Sequence, residues 1–547
     1  MRRSAFRSAV ALTAAAALLY VTLVLPDQPK AVTWARLTAF PLELPLILLA
    51  LLAVGDGRGG GVLRALMVAA LVIIAALKSI DYAMFTALSR GFNPVADLAL
   101  VEAGMRLLVG AVGPVLAALA ALAALVGAAL TAALLWWATG IWARAAAGRP
   151  ALRGMAVAGA VVSTGVAAAD VSDAPDRWAL PANSPGAAST TRYGIERYEL
   201  ARATLADLRA FKTAAANDPF ATAEGMLDLI DRDVIIVFVE SYGRTSLDTP
   251  FYADLHRATL SVAEAELSAL GLATASGILA APTRGGQSWL SHATFANGLW
   301  VDGQTKYGAV LASGRQTMFH LAQKAGFHTA AVMPQITLDW PESAVMGFET
   351  VLAAADLGYE GRSFNWVPMP DQFTYHALDR LLREASSEGR HRFVQVATGS
   401  SHAPFVPVPD LVEWEAIGDG RIFNAMATSG DTPTVVWRDR DRVRAQYRLA
   451  VDYALQAVLS YAARNADHPP LLIIVGDHQA AGFIALDERP DVPIHVIGPA
   501  HLVERAARDW SLSPGLIPPA DAPVVSMDQM RDRFLTTFSA ASARSEG

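Results

Sequence analysis

Three apolar runs in the second half of this 547-residue chain end in residue types that bind metals or move protons. Val234-Ile-Ile-Val-Phe-Val is followed by Glu240-Ser-Tyr-Gly, Leu471-Leu-Ile-Ile-Val by Gly476-Asp477-His478, and Phe393-Val-Gln-Val-Ala by Thr398-Gly-Ser-Ser-His402. Two carboxylates balance a divalent cation and still leave it able to attract an anionic substrate, while imidazoles supply a nitrogen ligand or a proton relay. The plain alternative is that Glu240 caps a helix and Gly-Asp-His is a loop turn. Cysteine is absent, which excludes disulfides, thiolate metal sites and a cysteine nucleophile.

For these residues to converge, the runs must be strands of one sheet. Val234 to Val239, Thr329 to Val332, Phe393 to Ala397, Leu471 to Val475 and Pro493 to Ile497 are short, apolar and β-rich, and they alternate with helical patterns. This predicts an α/β domain over 231–547 with a mostly parallel sheet covered on both faces. In such sheets ligands bind beyond the carboxyl ends of the strands, where the metal-binding types fall. His495, inside a strand-like run, reads as packed, and His292 as a helix-face residue with no functional claim. Ahead of this domain, 171–230 turns polar, with a loop-like Pro181-Ala-Asn-Ser-Pro-Gly and a helical stretch around Tyr198 to Phe211. It reads as a linker carrying an amphipathic helix.

Residues 1–170 are a different kind of chain. Over the whole sequence 53% of residues are apolar and only 17% charged. Through Asp170 there are 13 Lys/Arg against 7 Asp/Glu, a net +6, which leaves −13 for the remainder. An acidic second half with no Lys/Arg stripe disfavours nucleic acid as a partner. Apolar windows near 7–25, 38–55, 62–80, 112–137 and 153–170 predict five spans, each close to the roughly 20 residues that a bilayer core requires. The first window follows Arg2, Arg3 and Arg7 but is succeeded by more hydrophobic segments, so it reads as a retained helix rather than a signal peptide. Arg58, Arg64, Arg144, Arg149 and Arg153 fall on the same side as the amino terminus, which makes that side cytoplasmic and places 171–547 outside. The polar segment 81–110 carries Leu98, Val101, Met105 and Leu108 at helical spacing and reads as an interfacial helix. Lys78 and Asp81, one turn apart, either mark a lipid site or form a pair with Lys78 snorkelling.

The motifs and their order resemble the alkaline-phosphatase and sulfatase superfamily, in its membrane-anchored branch of lipoteichoic acid synthases and phosphoglycerol and phosphoethanolamine transferases. Any one motif is weak. The series of five spans, strand-Glu240, a nucleophile loop, Ser-Ser-His402-Ala-Pro-Phe and Gly-Asp477-His478 matches that branch along the whole chain. In the family the nucleophile is a Thr or Ser that opens a helix some 45 residues after the metal-binding Glu. Here the loop Pro282-Thr-Arg-Gly-Gly-Gln-Ser288 has glycines that relax the backbone, followed by Ser288 at the start of an apolar-periodic helix. A helix amino terminus and a bound cation both favour the Ser288 alkoxide. Thr283 is the competing nucleophile, and a simple N-cap role is the structural alternative for Ser288.

The metal set is then Glu240, Asp477, His478 and the Ser288 oxygen, with an open position. It suits one divalent ion, manganese or zinc, with magnesium also possible. His402 is a substrate contact or a proton carrier, against a purely structural hydrogen bond. Arg284 is a phosphate clamp or a solvated loop arginine. The chain departs from the family at Asp452: lipoteichoic acid synthases carry a substrate-contacting His before a Tyr on the helix preceding the last metal strand, whereas here Asp452 precedes Tyr453. An acid there repels phosphate or receives an amine or a sugar hydroxyl.

The resemblance implies a transferase in a bacterial plasma membrane. Its catalytic domain is extracytoplasmic, its donor a phospholipid and its acceptor a glycan or glycolipid. A phosphodiesterase or phosphatase with the same site is the nearer alternative, and a non-catalytic lipid or glycan sensor the more distant one. Sulfatase activity is disfavoured, because formylglycine formation needs Cys or Ser followed by x-Pro-x-Arg, and Ser288-Trp-Leu-Ser-His lacks both Pro and Arg.

Overall fold

A computed structural model describes residues 2–88, 91–98, 101, 104–105, 108–109, 112–172, 186–338, 340–384 and 389–540. The chain forms two compact units, Met1–Asp207 and Leu208–Gly547.

The first unit contains α1 (Arg2–Leu23), α2 (Glu43–Val54), α3 (Arg58–Leu88), α4 (Pro114–Ala145) and α5 (Pro150–Val171), and α6 (Ser189–Ala216) begins within it. Among the described residues four helices, α1, α3, α4 and α5, are long and apolar enough to cross a membrane. The expected span at 38–55 is shorter than its apolar window. Phe40–Pro41 is extended and forms a two-residue parallel ladder with Gly186–Ala187, leaving only the 12 residues of α2 helical, about 18 Å of rise. Pro41 and Pro45 account for this, since proline is tolerated only in the first turn of a helix and disfavours helical backbone in the residue before it.

The chain nevertheless traverses the bundle five times in alternating directions. At one end Lys78 Nζ donates to Leu23 O at 2.9 Å, and Glu43 Oε1 accepts from Thr191 N at 2.8 Å. At the other, Asp56 pairs with Arg64 at 2.9 Å and lies 3.6 Å from Arg144. Glu43 and Asp56 flank α2, so this short helix joins the two ends. Leu19, Ile47, Leu71 and Leu135 are among the residues of the bundle core, while Leu116, Leu119, Leu122 and Leu125 of α4 are exposed, as on a lipid-facing surface.

Two expectations for this unit need correcting. α3 continues past Asp81 to Leu88, so the polar segment begins later than predicted. Beyond it Leu98, Val101, Met105 and Leu108 are helical, with Leu98, Val101 and Met105 exposed; Arg90, Glu102 and Arg106 lie outside the described residues, as does the loop-like stretch at 181–185. Lys78 and Asp81 do not pair, and Lys78 does not snorkel. Lys78 is buried against Leu23 and Thr190, whereas Asp81 accepts from Tyr193 Oη and Phe92 N and lies 3.4 Å from Arg197. Partners distant in sequence outcompete the one-turn neighbour.

The second unit is built on a nine-stranded mixed sheet. Its strands are β1 (Val234–Val239), β2 (Ala273–Ala280), β3 (His328–Met333), β4 (Thr350–Ala353), β5 (Arg392–Ala397), β6 (Leu471–Gly476), β7 (Asp491–Gly498), β8 (Ser513–Pro514) and β9 (Val524–Ser526). The spatial order is β8-β2-β7-β6-β1-β5-β3-β4, with β9 beside β2. The centre, β6-β1-β5-β3-β4, is parallel, and β7 runs antiparallel to both β6 and β2. The two reversals return β2 to the direction of β6, so the loop after Ala280 emerges on the same rim as the loops after β1, β5 and β6. Every residue of β1, β5, β6 and β7 is buried, as expected for strands covered on both faces.

Candidate active site

The carboxyl rim gathers Glu240, Asp477 and His478 so closely that one potential ligand atom from each lies within 4.8 Å of the others. Parallel pairing of β1 with β6, with Val239 opposite Gly476, sets Glu240 beside Asp477. Asp477 Oδ1 accepts from Ser241 N at 2.8 Å and from His478 N at 2.6 Å, fixing the carboxylate between the two strand ends. Ser241 holds a left-handed conformation (φ 58°) while its hydroxyl donates to Glu240 Oε1 at 3.0 Å. A non-glycine residue takes that strained conformation only when its surroundings hold it there. Close packing leaves no room for side chains at the glycines of these turns: a Cβ on Gly476 would meet Tyr242 O at 1.8 Å, and one on Gly243 would meet Gln479 Oε1 at 1.7 Å.

The electrostatics match a cation site. Burial pushes the Glu240 carboxyl up, but His478 and then His402 outweigh it and hold it down to about 2. Asp477 is raised by burial and by the neighbouring Glu240 charge. Burial lowers His478, yet Asp477 and Glu240 together raise it to about 9. The two carboxylates are thus too close and too buried to carry charge together without positive charge beside them, which His478 or a cation can supply. His478 Nε2 is 3.1 Å from Glu240 Oε1 but misaligned for a hydrogen bond, so it is a buried nitrogen without a partner. Two buried carboxylates and an unpartnered imidazole nitrogen are the donor set a divalent cation takes, and the residues fit one.

The predicted nucleophile loop lies against this cluster. Gly285 N donates to Gln479 O at 2.7 Å, and Arg284 bridges to Gln479, the residue after His478. Gly285 and Gly286 have φ of 72° and 133°, open only to glycine at low cost. They turn the chain into α8 (Ser288–Asn297). Ser288 is the first helical residue and is half-buried; Gln287 occupies the cap position in a left-handed conformation, and no side chain caps the helix. The Thr283 hydroxyl donates to Gly286 O at 2.7 Å and braces the loop. Arg284 points to Glu488, to whose carboxylate it donates at 2.5 Å and whose carbonyl it reaches at 2.8 Å.

His402 ends a loop, half-buried, with Nδ1 2.5 Å from Ala403 O. Ser401 Oγ donates to Glu240 O at 2.6 Å, tying that loop to Glu240. Asp452, on α10 (Arg440–Arg464), is not part of the cluster. It accepts from Thr259 Oγ1 and Gln456 Nε2, each at 2.6 Å, and lines a separate hollow of about 520 Å³ with Pro407, Asp410 and Asp431. His495 is packed, with Nε2 3.0 Å from Tyr242 Oη and burial lowering it to about 4. His292 is buried against Phe238, their ring centroids 4.2 Å apart.

The sequence did not single out Asp371, at the start of α9 (Asp371–Leu378). It is fully buried, and its Oδ1 accepts from Gly399 N and Ser400 N, both at 2.9 Å, so it anchors the His402 loop. Nor did the sequence single out Gln479, where the nucleophile loop attaches; its only signal was adjacency to Asp477-His478.

Residues 232–486 match the Sulfatase family model. The segment is a sulfatase-family domain. It contains Glu240, Ser288, His402, Asp477 and His478. No curated protein is detectably similar in sequence to the chain. Similar solved structures include the lipoteichoic acid synthase LtaP from Listeria monocytogenes, at 14% identity and a TM-score of 0.39, covering 61% of this chain and 78% of that one. The phosphoglycerol transferase GacH of Streptococcus pyogenes matches at 11% and 0.36, covering 61% and 82%. The periplasmic domain of phosphoethanolamine transferase EptC from Campylobacter jejuni matches at 10% and 0.35, covering 56% and 89%. Likenesses of this order do not separate one activity from another. The sulfatase family includes transferases and hydrolases, so the chain is read as an enzyme, and the reaction has to be argued from the site.

Proposed function

We propose that the protein moves a phospholipid head group, of the phosphoglycerol or phosphoethanolamine type, onto Ser288 and then to a glycan or lipid acceptor outside the cytoplasm. The observation that carries this reading is the Glu240, Asp477 and His478 cluster at the rim, with the loop that presents Ser288 hydrogen-bonded to the adjoining Gln479. A divalent cation held by Glu240, Asp477 and His478 supplies positive charge that acidifies a nearby hydroxyl and screens a phosphate.

The chain's own residues do the rest. Ser288 Oγ attacks phosphorus, the bond to the diacylglycerol oxygen breaks, and that oxygen leaves with a proton. An acceptor hydroxyl then attacks the phospho-Ser288 phosphorus, losing its proton as the Ser288 oxygen regains one. In this reading His402 carries these protons, supported by the tie of its loop to Glu240 through Ser401. Arg284 is committed to Glu488, so in this reading it orders the loop rather than clamping phosphate. Asp452 is set apart from the cluster and addresses the acceptor or head group rather than the phosphorus.

The five alternating passes and the Arg-rich end at Arg64 and Arg144 support a bacterial plasma-membrane topology with that end cytoplasmic. Such an anchor lets the enzyme meet a lipid donor at the interface. Ser288→Ala should abolish turnover through kcat with metal content unchanged, and Ser288→Thr should keep part of it. Normal turnover in Ser288→Ala alongside a dead Thr283→Ala would move the nucleophile to Thr283.

A further inference from the structure

Lys78 is only 4% exposed, yet among the described residues no carboxylate lies within ion-pair distance of its ammonium. Its Nζ donates to two neutral oxygens, Leu23 O at 2.9 Å and Thr190 Oγ1 at 3.1 Å, and lies 5.7 Å from the Tyr193 ring centre. A buried charge is normally paired, and an ionisable residue kept unpaired in a spanning helix marks a site. Lys78 lines a hollow of about 380 Å³ at the end of the bundle where α6 begins, within the ~300–1,000 Å³ range of small-molecule sites. Its wall also carries Arg36, Arg192, Asp27 and Glu196. Arg192 is engaged with Asp170, donating to its carbonyl at 2.7 Å, while Arg36 is exposed and, among the described residues, makes no ion pair. Residues 23–26, an apolar stretch that leaves α1, form another side of the hollow.

We propose that this hollow binds the phosphodiester head group of a membrane phospholipid, with the phosphate on Lys78 and Arg36 and the head group's amine or hydroxyls toward Asp27 and Glu196. The buried ammonium calls for an anion, and the two carboxylates call for a donor on the same molecule. A phospholipid head group carries both, and its position at the end of spanning helices is where a lipid presents it. A free phosphate ester shares the anion but lacks acyl chains to lie along the helices. The inference concerns the membrane unit alone and stands whether or not Ser288 is the nucleophile.

The test is native mass spectrometry of the full-length protein in detergent micelles, incubated in turn with phosphatidylglycerol, phosphatidylethanolamine and diacylglycerol. Wild type should retain one phospholipid and no diacylglycerol. Lys78→Gln and Arg36→Gln should each reduce occupancy about tenfold, as expected for losing one charge-assisted contact. Arg36 is exposed, so its variant reports on binding even if Lys78→Gln fails to fold. Lys30→Gln, an exposed neighbour that does not line the hollow, should retain lipid. Equal retention in wild type and Arg36→Gln would overturn the proposal, and so would retention of diacylglycerol. Displacement of the lipid by millimolar sn-glycerol 3-phosphate would overturn the lipid source in favour of a soluble phosphate ester.

Discussion

Asp371 offers a test of how the rim is held together that does not touch any candidate metal ligand. Its Oδ1 satisfies Gly399 N and Ser400 N, while its own N–H donates to Ser400 Oγ at 2.9 Å. All of this is buried. Asp371→Ala leaves two buried backbone N–H groups without acceptors; at about 1–3 kcal/mol each the cost is about 2–6 kcal/mol. Asp371→Asn keeps an acceptor oxygen at the same place and puts its amide where Oδ2 now has no partner, so it should cost about 1 kcal/mol or less. Thermal unfolding of the full-length protein in detergent reads the difference. The Ala variant should unfold several degrees earlier and turn over slowly, because the His402 loop loses its anchor, while bound metal stays at the wild-type level. The Asn variant should track wild type. Equal behaviour of the two variants, or an Ala variant as stable as wild type, would show that these bonds do not hold the loop.

Asp477→Ala should lose bound metal by elemental analysis, since removing one anionic ligand also frees the His478 and Ser241 backbone N–H groups that orient the turn; wild-type metal content in this variant would refute the ligand set. In the metal-free protein, the His478 proton should stabilise the fold fully below about pH 6.5, where the unfolded imidazole is also protonated, and that contribution should fade as pH rises through about 9. Unfolding temperatures of chelated wild type and His478→Gln across that range check it: a step in the variant equal to that in wild type contradicts the assignment. A reporter fused after Gly547 should be active only outside the cytoplasm, and cytoplasmic activity would invert the topology.

The strands were legible where composition and burial agree. Continuous Val, Ile and Leu runs marked β1 and β6 to within a residue, because strands buried on both faces favour apolar side chains throughout; β5, with Arg392 and Gln395 buried among Phe393, Val394 and Val396, was marked by its shorter apolar run. β2 was not legible. Ala273-Thr-Ala-Ser-Gly-Ile-Leu-Ala is rich in small residues of low β propensity, and a Cβ on Gly277 would meet the Leu512 side chain at 2.6 Å. At the site, Glu240, Asp477 and His478 could be read because each directly follows a strand. Asp371 could not: near its own sequence it looks like an acid in the first turn of a helix, and its partners lie 28 and 29 residues away. Lys78 and Asp81 fail for the same reason, since residues more than 50 positions distant hold Lys78, and Tyr193 and Arg197 hold Asp81.

The most direct test of the central claim is peptide mass spectrometry of the full-length protein, metal-loaded and quenched after incubation with phosphatidylglycerol or phosphatidylethanolamine in the absence of acceptor. The account predicts that the peptide spanning Ser288 gains the mass of a phosphoglycerol or phosphoethanolamine group. The adduct should be located on Ser288, be absent from Ser288→Ala and Asp477→Ala, and be discharged when acceptor is added. An unmodified Ser288 peptide while diacylglycerol accumulates would contradict the account and point to direct attack by water.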